Sequence, residues 1–133
     1  MNDPNRGKLV SAIFITFSGN CRKALTYYQT CFGGVLQFET FEKELDGYRE
    51  SPVVSGSLVS EYITIHGSDL VPNEGRTLGN YLSIFLHCRN SRDRHALIEK
   101  LSFKRPLSFA GHDEASKLVE VTDAFDVRWV LSV

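Results

Sequence analysis

The feature that most constrains this chain is an order of elements that occurs twice. In each half a β-rich segment runs directly into an amphipathic helix, and further β-rich segments follow. The first copy opens with SAIFITF (residues 11–17) and the second with YLSIFLHC (residues 81–88). The dipeptide Ala24-Leu25 of the first helix returns as Ala96-Leu97 in the second. The sequence therefore predicts two β-α-β-β-β modules, each about half of the chain.

Both helices have signals at their ends. Asn20 and Ser91 are residue types that cap the N-terminus of a helix. Gly33 and Gly34 supply the left-handed backbone that ends the first helix. Apolar residues recur at helical spacing in each helix. They are Cys21, Ala24, Leu25, Tyr28, Cys31 and Phe32 in the first helix, and Ala96, Leu97 and Leu101 in the second.

The remaining β-rich segments bring the count to about eight strands. Those of the first half cover residues 35–41, 53–60 and 62–67, and those of the second half cover 105–110, 117–123 and 127–133. The alternative, a ferredoxin-like α+β fold, needs only about four strands. We predict an α+β chain with two main helices and a single domain over residues 1–133. Module one spans about 8–67, a Gly- and Pro-containing connector 68–80, and module two about 81–133.

The composition limits the classes of partner that we expect for this chain. The 133 residues carry a net charge of −1, which gives no reason to expect nucleic acid or an anionic membrane as a partner. No apolar run approaches the length of a membrane span, and the polar N-terminus lacks the apolar region of a signal peptide. The three cysteines contain no CxxC spacing, which favours reduced thiols. We expect a cytoplasmic protein.

Three stretches together resemble the vicinal oxygen chelate superfamily, which includes glyoxalase I, bleomycin-resistance proteins and extradiol dioxygenases. They are FSGNCRKALTYYQTCFGG, GSDLVPNEGRTLGNYLSIFLHC and VTDAFDVRWVLSV. The resemblance spans nearly the whole chain and is greatest to the PhnB-like branch, often labelled 3-demethylubiquinone 3-methyltransferase-like. It implies two modules that form a glyoxalase-like cup, and a homodimer. A methyltransferase gains no support, because no GxGxxG-like loop is present.

Two positions depart from the family pattern. Asp126 stands where the family carries a glycine in the last hairpin, and Asp tolerates positive φ better than most residues. Ala110 stands where the family has a tryptophan, which reshapes one lip of the cup.

The resemblance also implies four metal-ligand positions, and these hold unsuitable side chains. The matching residues are Ala12, His66 (or at a stretch Thr64), Tyr81 and Val130. One imidazole beside alanine, tyrosine and valine cannot hold a divalent ion, since such a site needs three or four ligands. We predict no metal and no other cofactor.

Strand alternation indicates which side chains line the cup. Isoleucines, leucines and Trp129 occupy alternate positions and point towards the helices, so the residues between them face the cup. The predicted ligand-binding residues are Phe14, Thr16, Tyr62, Thr64, His66, Tyr81, Ser83, Phe85 and Arg128. Aromatic walls with a few polar groups suit a small planar or anionic molecule, with Arg128 as a candidate carboxylate or phosphate binder. The competing interpretation is that these aromatic residues simply fill the cup.

Three functions remain open from the sequence. The first is metal-free binding of a small organic molecule. The second is a metal-dependent lyase, isomerase or dioxygenase with displaced ligands such as His66, His112 or Glu114. The third is a resistance protein that sequesters a drug. His87 at a strand end and His95 on a helix flank carry no predicted role.

Overall fold

A computed structural model of the chain describes residues 11–40, 52–69, 79, 81–102 and 117–133. The chain divides into two compact units, Met1–Arg76 and Thr77–Val133. The described part of each unit contains one β-sheet and one α-helix. This confirms the predicted α+β class.

The first unit contains a complete β-α-β-β-β module. Its elements are β1 (Ile13–Thr16), α1 (Cys21–Phe32), β2 (Val35–Thr40), β3 (Val53–Val59) and β4 (Thr64–Ser68). The sheet order is β1-β4-β3-β2, with β1 parallel to β4 and the other neighbours antiparallel. Because a helix joins β1 to β2, the two strands run in the same direction and lie at opposite edges of the sheet.

The second unit repeats this arrangement. It contains β5 (Ile84–His87), α2 (Ser91–Leu101), β6 (Leu118–Thr122) and β7 (Arg128–Ser132). The sheet order β5-β7-β6, with β5 parallel to β7, matches β1-β4-β3 of the first unit. The structure thus describes seven strands. The eighth predicted strand, over 105–110, lies outside the described residues.

A buried carboxylate joins the two ends of the first module. Asp69, which directly follows β4, is only 2% exposed. Its Oδ1 accepts hydrogen bonds from the backbone N–H groups of Gly19 and Cys21, both at 2.9 Å. Its Oδ2 accepts one from the backbone N–H of Val53 at 3.0 Å. One side chain therefore holds the start of α1, the start of β3 and the end of β4 together.

The prediction that Asn20 caps α1 through its side chain is wrong. Asn20 occupies the N-cap position, but its side chain makes no capping hydrogen bond. Asp69 supplies the acceptor instead. A carboxylate forms stronger hydrogen bonds with N–H groups than an amide oxygen does, and it complements the positive end of the helix dipole. The positive φ angles of Gly33 and Gly34 confirm the predicted left-handed end of α1.

The second helix begins one residue earlier than predicted. Asn90, not Ser91, is the N-cap, and its Oδ1 accepts a hydrogen bond from the backbone N–H of Asp93 at 2.8 Å. The buried face of α2 also differs, because it includes Arg94 and Ile98 along with Leu101. The predicted apolar positions 96 and 97 are exposed and half-buried, respectively.

Two glycines let α1 approach its sheet closely. Gly56 of β3 and Gly67 of β4 are paired in register on the face that α1 covers. A Cβ atom on Gly67 would lie 2.9 Å from the Phe17 ring and 3.0 Å from the Cys21 sulfur. A Cβ atom on Gly56 would lie 2.9 Å from Leu25 Cδ1. The apolar face of α1 therefore packs directly against the backbone of β3 and β4 at these two glycines.

The turn between β6 and β7 is held by a second buried aspartate. Asp123 is fully buried, and its Oδ1 accepts hydrogen bonds from the backbone N–H groups of Phe125 and Val127 at 2.8 and 3.1 Å. Its Oδ2 accepts one from Trp129 Nε1 at 2.8 Å. Asp126 within this turn has a φ of 67°, which confirms that Asp serves there in place of glycine.

We predict that Asp69→Ala destabilises the protein severely. Three backbone N–H groups would lose their acceptor, and unsatisfied buried donors cost about 1–3 kcal/mol each, so a loss of about 3 kcal/mol or more is expected. Urea unfolding measures this difference. Glu99→Ala is the control, because among the described residues Glu99 pairs with His95 at an exposed position. A loss below about 1 kcal/mol for Asp69→Ala would contradict the assigned role.

We also predict that Gly67→Ala destabilises the protein by about 1–3 kcal/mol, because the added methyl group overlaps Phe17 and Cys21. Gly79→Ala is a matched control, since its Cβ atom would meet nothing closer than 3.7 Å. Thermal or urea unfolding of both variants provides the measurement. Equal stability of the two variants would show that the contact between α1 and its sheet is looser than described.

Candidate functional site

The face of the first sheet opposite α1 carries a row of aromatic and polar side chains. Phe14 of β1, His66 of β4, Ser57 of β3 and Gln37 of β2 are partners in register across all four strands. Phe14 is 65% exposed and His66 is also exposed. Cross-strand neighbours lie about 5 Å apart, so adjacent members of this row can contact one small ligand together.

The other candidates of the first unit are placed less uniformly. Thr16 is exposed at the end of β1, opposite Ser68, and Thr64 is half-buried at the start of β4. Tyr62 lies in the turn before β4 and is 74% exposed, so the prediction that β4 includes it is wrong. The reason is local, because Ser60 Oγ accepts hydrogen bonds from the backbone N–H groups of Tyr62 and Ile63 and prolongs the turn.

A shallow depression of about 470 Å³ lies beside this row. Its lining consists of Gln37, Phe38, Glu39, Ser55 and Ser57. Sequence reasoning missed these residues because it assigned no cup-facing positions to β2 and β3. Alternation was the available signal, since polar Gln37 and Glu39 lie between apolar positions of β2.

The open face of the second sheet presents Phe85, which is 60% exposed, in register with Val130 and Glu120. Arg128 lies on the same face but forms an ion pair with Glu120. A ligand carboxylate would have to displace Glu120 to bind this guanidinium in the manner that the sequence predicts.

Tyr81 and Ser83 precede β5, which begins at Ile84. Both are exposed, Tyr81 to 86%. The predicted alternation therefore does not extend to this segment, and Leu82, predicted to be a core residue, is 71% exposed. Of the predicted residues in this half, Phe85 and Arg128 lie on the open face of the sheet.

Sequence reasoning did not select His87, which also lies on this open face. Its Nδ1 is 2.8 Å from the hydroxyl oxygen of Ser132, its register partner on β7. The signal was present, since alternation through Ser83 and Phe85 continues to His87. Its position at the end of the strand obscured this.

Solved structures share this architecture over most of the chain. A PhnB protein from Bacillus cereus is 18% identical and covers 93% of this chain and 98% of its own, with a TM-score of 0.73. Protein PA1353 from Pseudomonas aeruginosa is 22% identical, with coverages of 94% and 97% and a TM-score of 0.72. The chain has the vicinal oxygen chelate fold.

A more distant vicinal oxygen chelate structure is the fosfomycin resistance protein FosX from Listeria monocytogenes, solved with Mn(II) and 1S,2S-dihydroxypropylphosphonic acid. It is 12% identical, with coverages of 94% and 91% and a TM-score of 0.56. No protein-family profile and no curated protein sequence matches the chain. Among the described residues, no helix is long and apolar enough to cross a membrane.

The residues present do not fit the metal site that the vicinal oxygen chelate fold implies. Ala12 is exposed just before β1 and Tyr81 just before β5, while His66 and Val130 lie on open sheet faces. Within the ranges that the structure describes, no three His, Cys, Asp or Glu side chains are grouped to hold an ion. His112 and Glu114, the predicted displaced ligands, lie outside the described residues.

Cys21 is not a candidate nucleophile, although it occupies the first position of α1. Burial, together with the nearby Asp69 carboxylate, raises the pKa of its thiol to about 12, although Arg22 partly offsets the rise. Burial likewise raises the pKa of the Cys88 thiol. Since the thiolate is the reactive form, burial lowers the reactivity of both thiols in the folded protein.

We predict that Cys21 resists alkylation in the native state. With a pKa of about 12, roughly one thiol in ten thousand is ionised at pH 8. Iodoacetamide labelling followed by peptide mass spectrometry should leave Cys21 unmodified in native protein and modify it in guanidinium chloride. Native labelling as fast as that of free cysteine would contradict the assigned burial.

Proposed function

We propose that the chain binds a small planar organic molecule without a metal ion, through the open faces of its sheets. The observation that carries this proposal is the row of Phe14, His66, Ser57 and Gln37 beside the depression on the first sheet. An aromatic ring offers stacking area, while the imidazole, hydroxyl and amide offer directional hydrogen bonds. Small-molecule sites combine these two elements.

The second unit supports the same proposal. Phe85 occupies the register position on β5 that Phe14 occupies on β1, and both rings are more than half exposed. Exposed aromatic rings on a sheet face have area to offer a ligand, and burying one gains about 25 cal/mol per Å². The other predicted ligand-binding residues, among them Thr16, Thr64 and Tyr81, remain candidates around these rings.

Metal independence rests on donor chemistry. The FosX structure from Listeria monocytogenes contains Mn(II), whereas the positions that the family resemblance assigns to metal ligands here include Ala12, Tyr81 and Val130. Neither alanine nor valine carries an atom that can bind a cation. Binding without a metal therefore uses stacking and hydrogen bonds, which is consistent with either a ligand-binding protein or a protein that sequesters a drug.

We propose further that the protein is a cytoplasmic homodimer. Among the described strands, β2 pairs only with β3, so its outer edge can accept another strand or surface. The three cysteines, none of which forms a disulfide, suit a reducing compartment.

The binding proposal predicts that Phe14→Leu and His66→Gln each weaken ligand binding at least fivefold without unfolding the protein. A fragment screen by ¹H–¹⁵N NMR, followed by titration of the hits, measures this. His95→Gln is the matched control, since His95 lies on α2 and contacts Glu99. Hits that bind all three variants equally would place the site elsewhere.

The metal-free proposal predicts melting temperatures that change by less than about 1 °C when Zn²⁺, Ni²⁺, Mn²⁺ or Fe²⁺ is added, because a ligand of the folded state stabilises it by mass action. Elemental analysis of the purified protein is the second measurement. Stoichiometric metal, together with a shift of several degrees, would favour a metal-dependent enzyme instead.

A further inference from the structure

We propose that Phe85, His87 and Leu118 form a binding site for an aromatic carboxylate on the open face of the second sheet. This inference rests on the proposed function, since it names the ligand class of one sheet face.

His87 is a positioned imidazole. Its Nδ1 lies 2.8 Å from the hydroxyl oxygen of Ser132, and Ser132 is buried on the adjacent strand. This hydrogen bond restrains the ring while the side chain stays exposed. Nε2 makes no hydrogen bond or ion pair with any residue in the described ranges, so this atom is available to an oxygen of a ligand.

The first unit shows that this end of the sheet does not require an imidazole. The equivalent register pair there is Thr16 of β1 and Ser68 of β4, which pair in parallel strands as His87 and Ser132 do. The same corner is thus built with two hydroxyl groups. Position 87 of the second unit therefore carries an imidazole where the first unit has the hydroxyl group of Thr16. Formation of the sheet does not require this exposed ring.

Apolar side chains flank the imidazole. Phe85 precedes it by two residues on β5, so the two rings lie on one face about 7 Å apart along the strand. Leu118 of β6, 60% exposed, completes the row that runs through Ser132 to His87. A flat hydrocarbon ring can lie against Phe85 and Leu118 while its substituent reaches Nε2.

The charged groups around this face favour a ligand with an anionic substituent. Glu120 is the carboxylate that the register places on this face within the described strands, and Arg128 already pairs with it. Lys117 is exposed and directly precedes Leu118, so strand alternation places it at the rim of this face and not on it, at the sheet end where β5 and β7 also end. A carboxylate whose oxygen accepts a hydrogen bond from His87 Nε2 meets no unpaired acidic group of these strands, and Lys117 lies at the rim of the site.

The test is an NMR titration of the full chain with benzoate, with cyclohexanecarboxylate and benzamide as matched probes. Cyclohexanecarboxylate lacks the aromatic ring and benzamide lacks the charge. We expect benzoate to shift the side-chain ¹⁵N resonances of His87 and the ring resonances of Phe85, and to bind at least fivefold more tightly than either probe. His87→Gln and Phe85→Leu should each raise the benzoate Kd at least fivefold, and Lys117→Gln about twofold to threefold.

Ser132→Ala tests the positioning of the imidazole. Its expected signature is a changed ¹⁵N pattern of the His87 ring with a weaker benzoate affinity, while the backbone amide spectrum elsewhere is retained. An unchanged His87 ring spectrum in Ser132→Ala would overturn the positioning role, whatever the effect on stability.

Separate outcomes identify which proposal fails. An equal benzoate Kd in the wild type and His87→Gln overturns the assignment of this site. If fragments bind in a way that depends on Phe14 and His66 but not on His87, the proposed function stands and this site does not. If benzoate does not bind at 20 mM and no other fragment binds either face, both proposals fail.

Discussion

The first module depends on the hydrogen bonds that one buried carboxylate makes. Asp69 accepts N–H groups from the start of α1 and from the start of β3, and it directly follows β4. These backbone segments are far apart in the sequence, and without Asp69 their N–H groups would lose this acceptor. The carboxylate fixes the start of α1 relative to the sheet, and strand pairing sets the register of the open face opposite α1. Phe14 and His66 become neighbours through that register.

The second module has the same strand arrangement, but its buried carboxylate makes different contacts. Asp123 lies after β6 rather than after the last strand, and it binds the following turn together with Trp129. Pairing in register is nevertheless equivalent, with Phe85 beside Val130 as Phe14 is beside His66. The two open faces therefore share a backbone frame but differ in side chains. In the strands that the structure describes, each face carries one imidazole, at a different row.

The outcome for individual residues shows where sequence reasoning succeeds. The left-handed turn at Asp126 was predictable because positive φ is a local property that few residue types tolerate. The end of α1 at Gly33 was predictable for the same reason. The predicted side-chain cap at Asn20 is wrong because the acceptor at the start of α1 is Asp69, which lies about fifty residues away in the sequence. Local propensity contains no information about such a partner.

The candidate site was only partly predictable for a related reason. Alternation assigned Phe14, His66 and Phe85 to one face of a strand, and their register confirms that they share the open faces. It failed at Tyr62 and Leu82, where the strands begin later than the β-rich segments do. The predicted site also did not include His87. Alternation contains no information about the ion pair between Arg128 and Glu120. Strand ends and ion pairs depend on partners across the sheet.

The sequence by itself determined the order of elements, the duplicated module and the residues that need special backbone angles. These follow from periodicity and local sterics, which act over a few neighbouring residues. Only the tertiary structure decided which carboxylate caps α1, which aromatic ring lies beside which imidazole, and which cation is already neutralised. Each of these depends on a contact between residues distant in the chain, because hydrogen bonds and ion pairs form between groups that folding brings within about 3 Å.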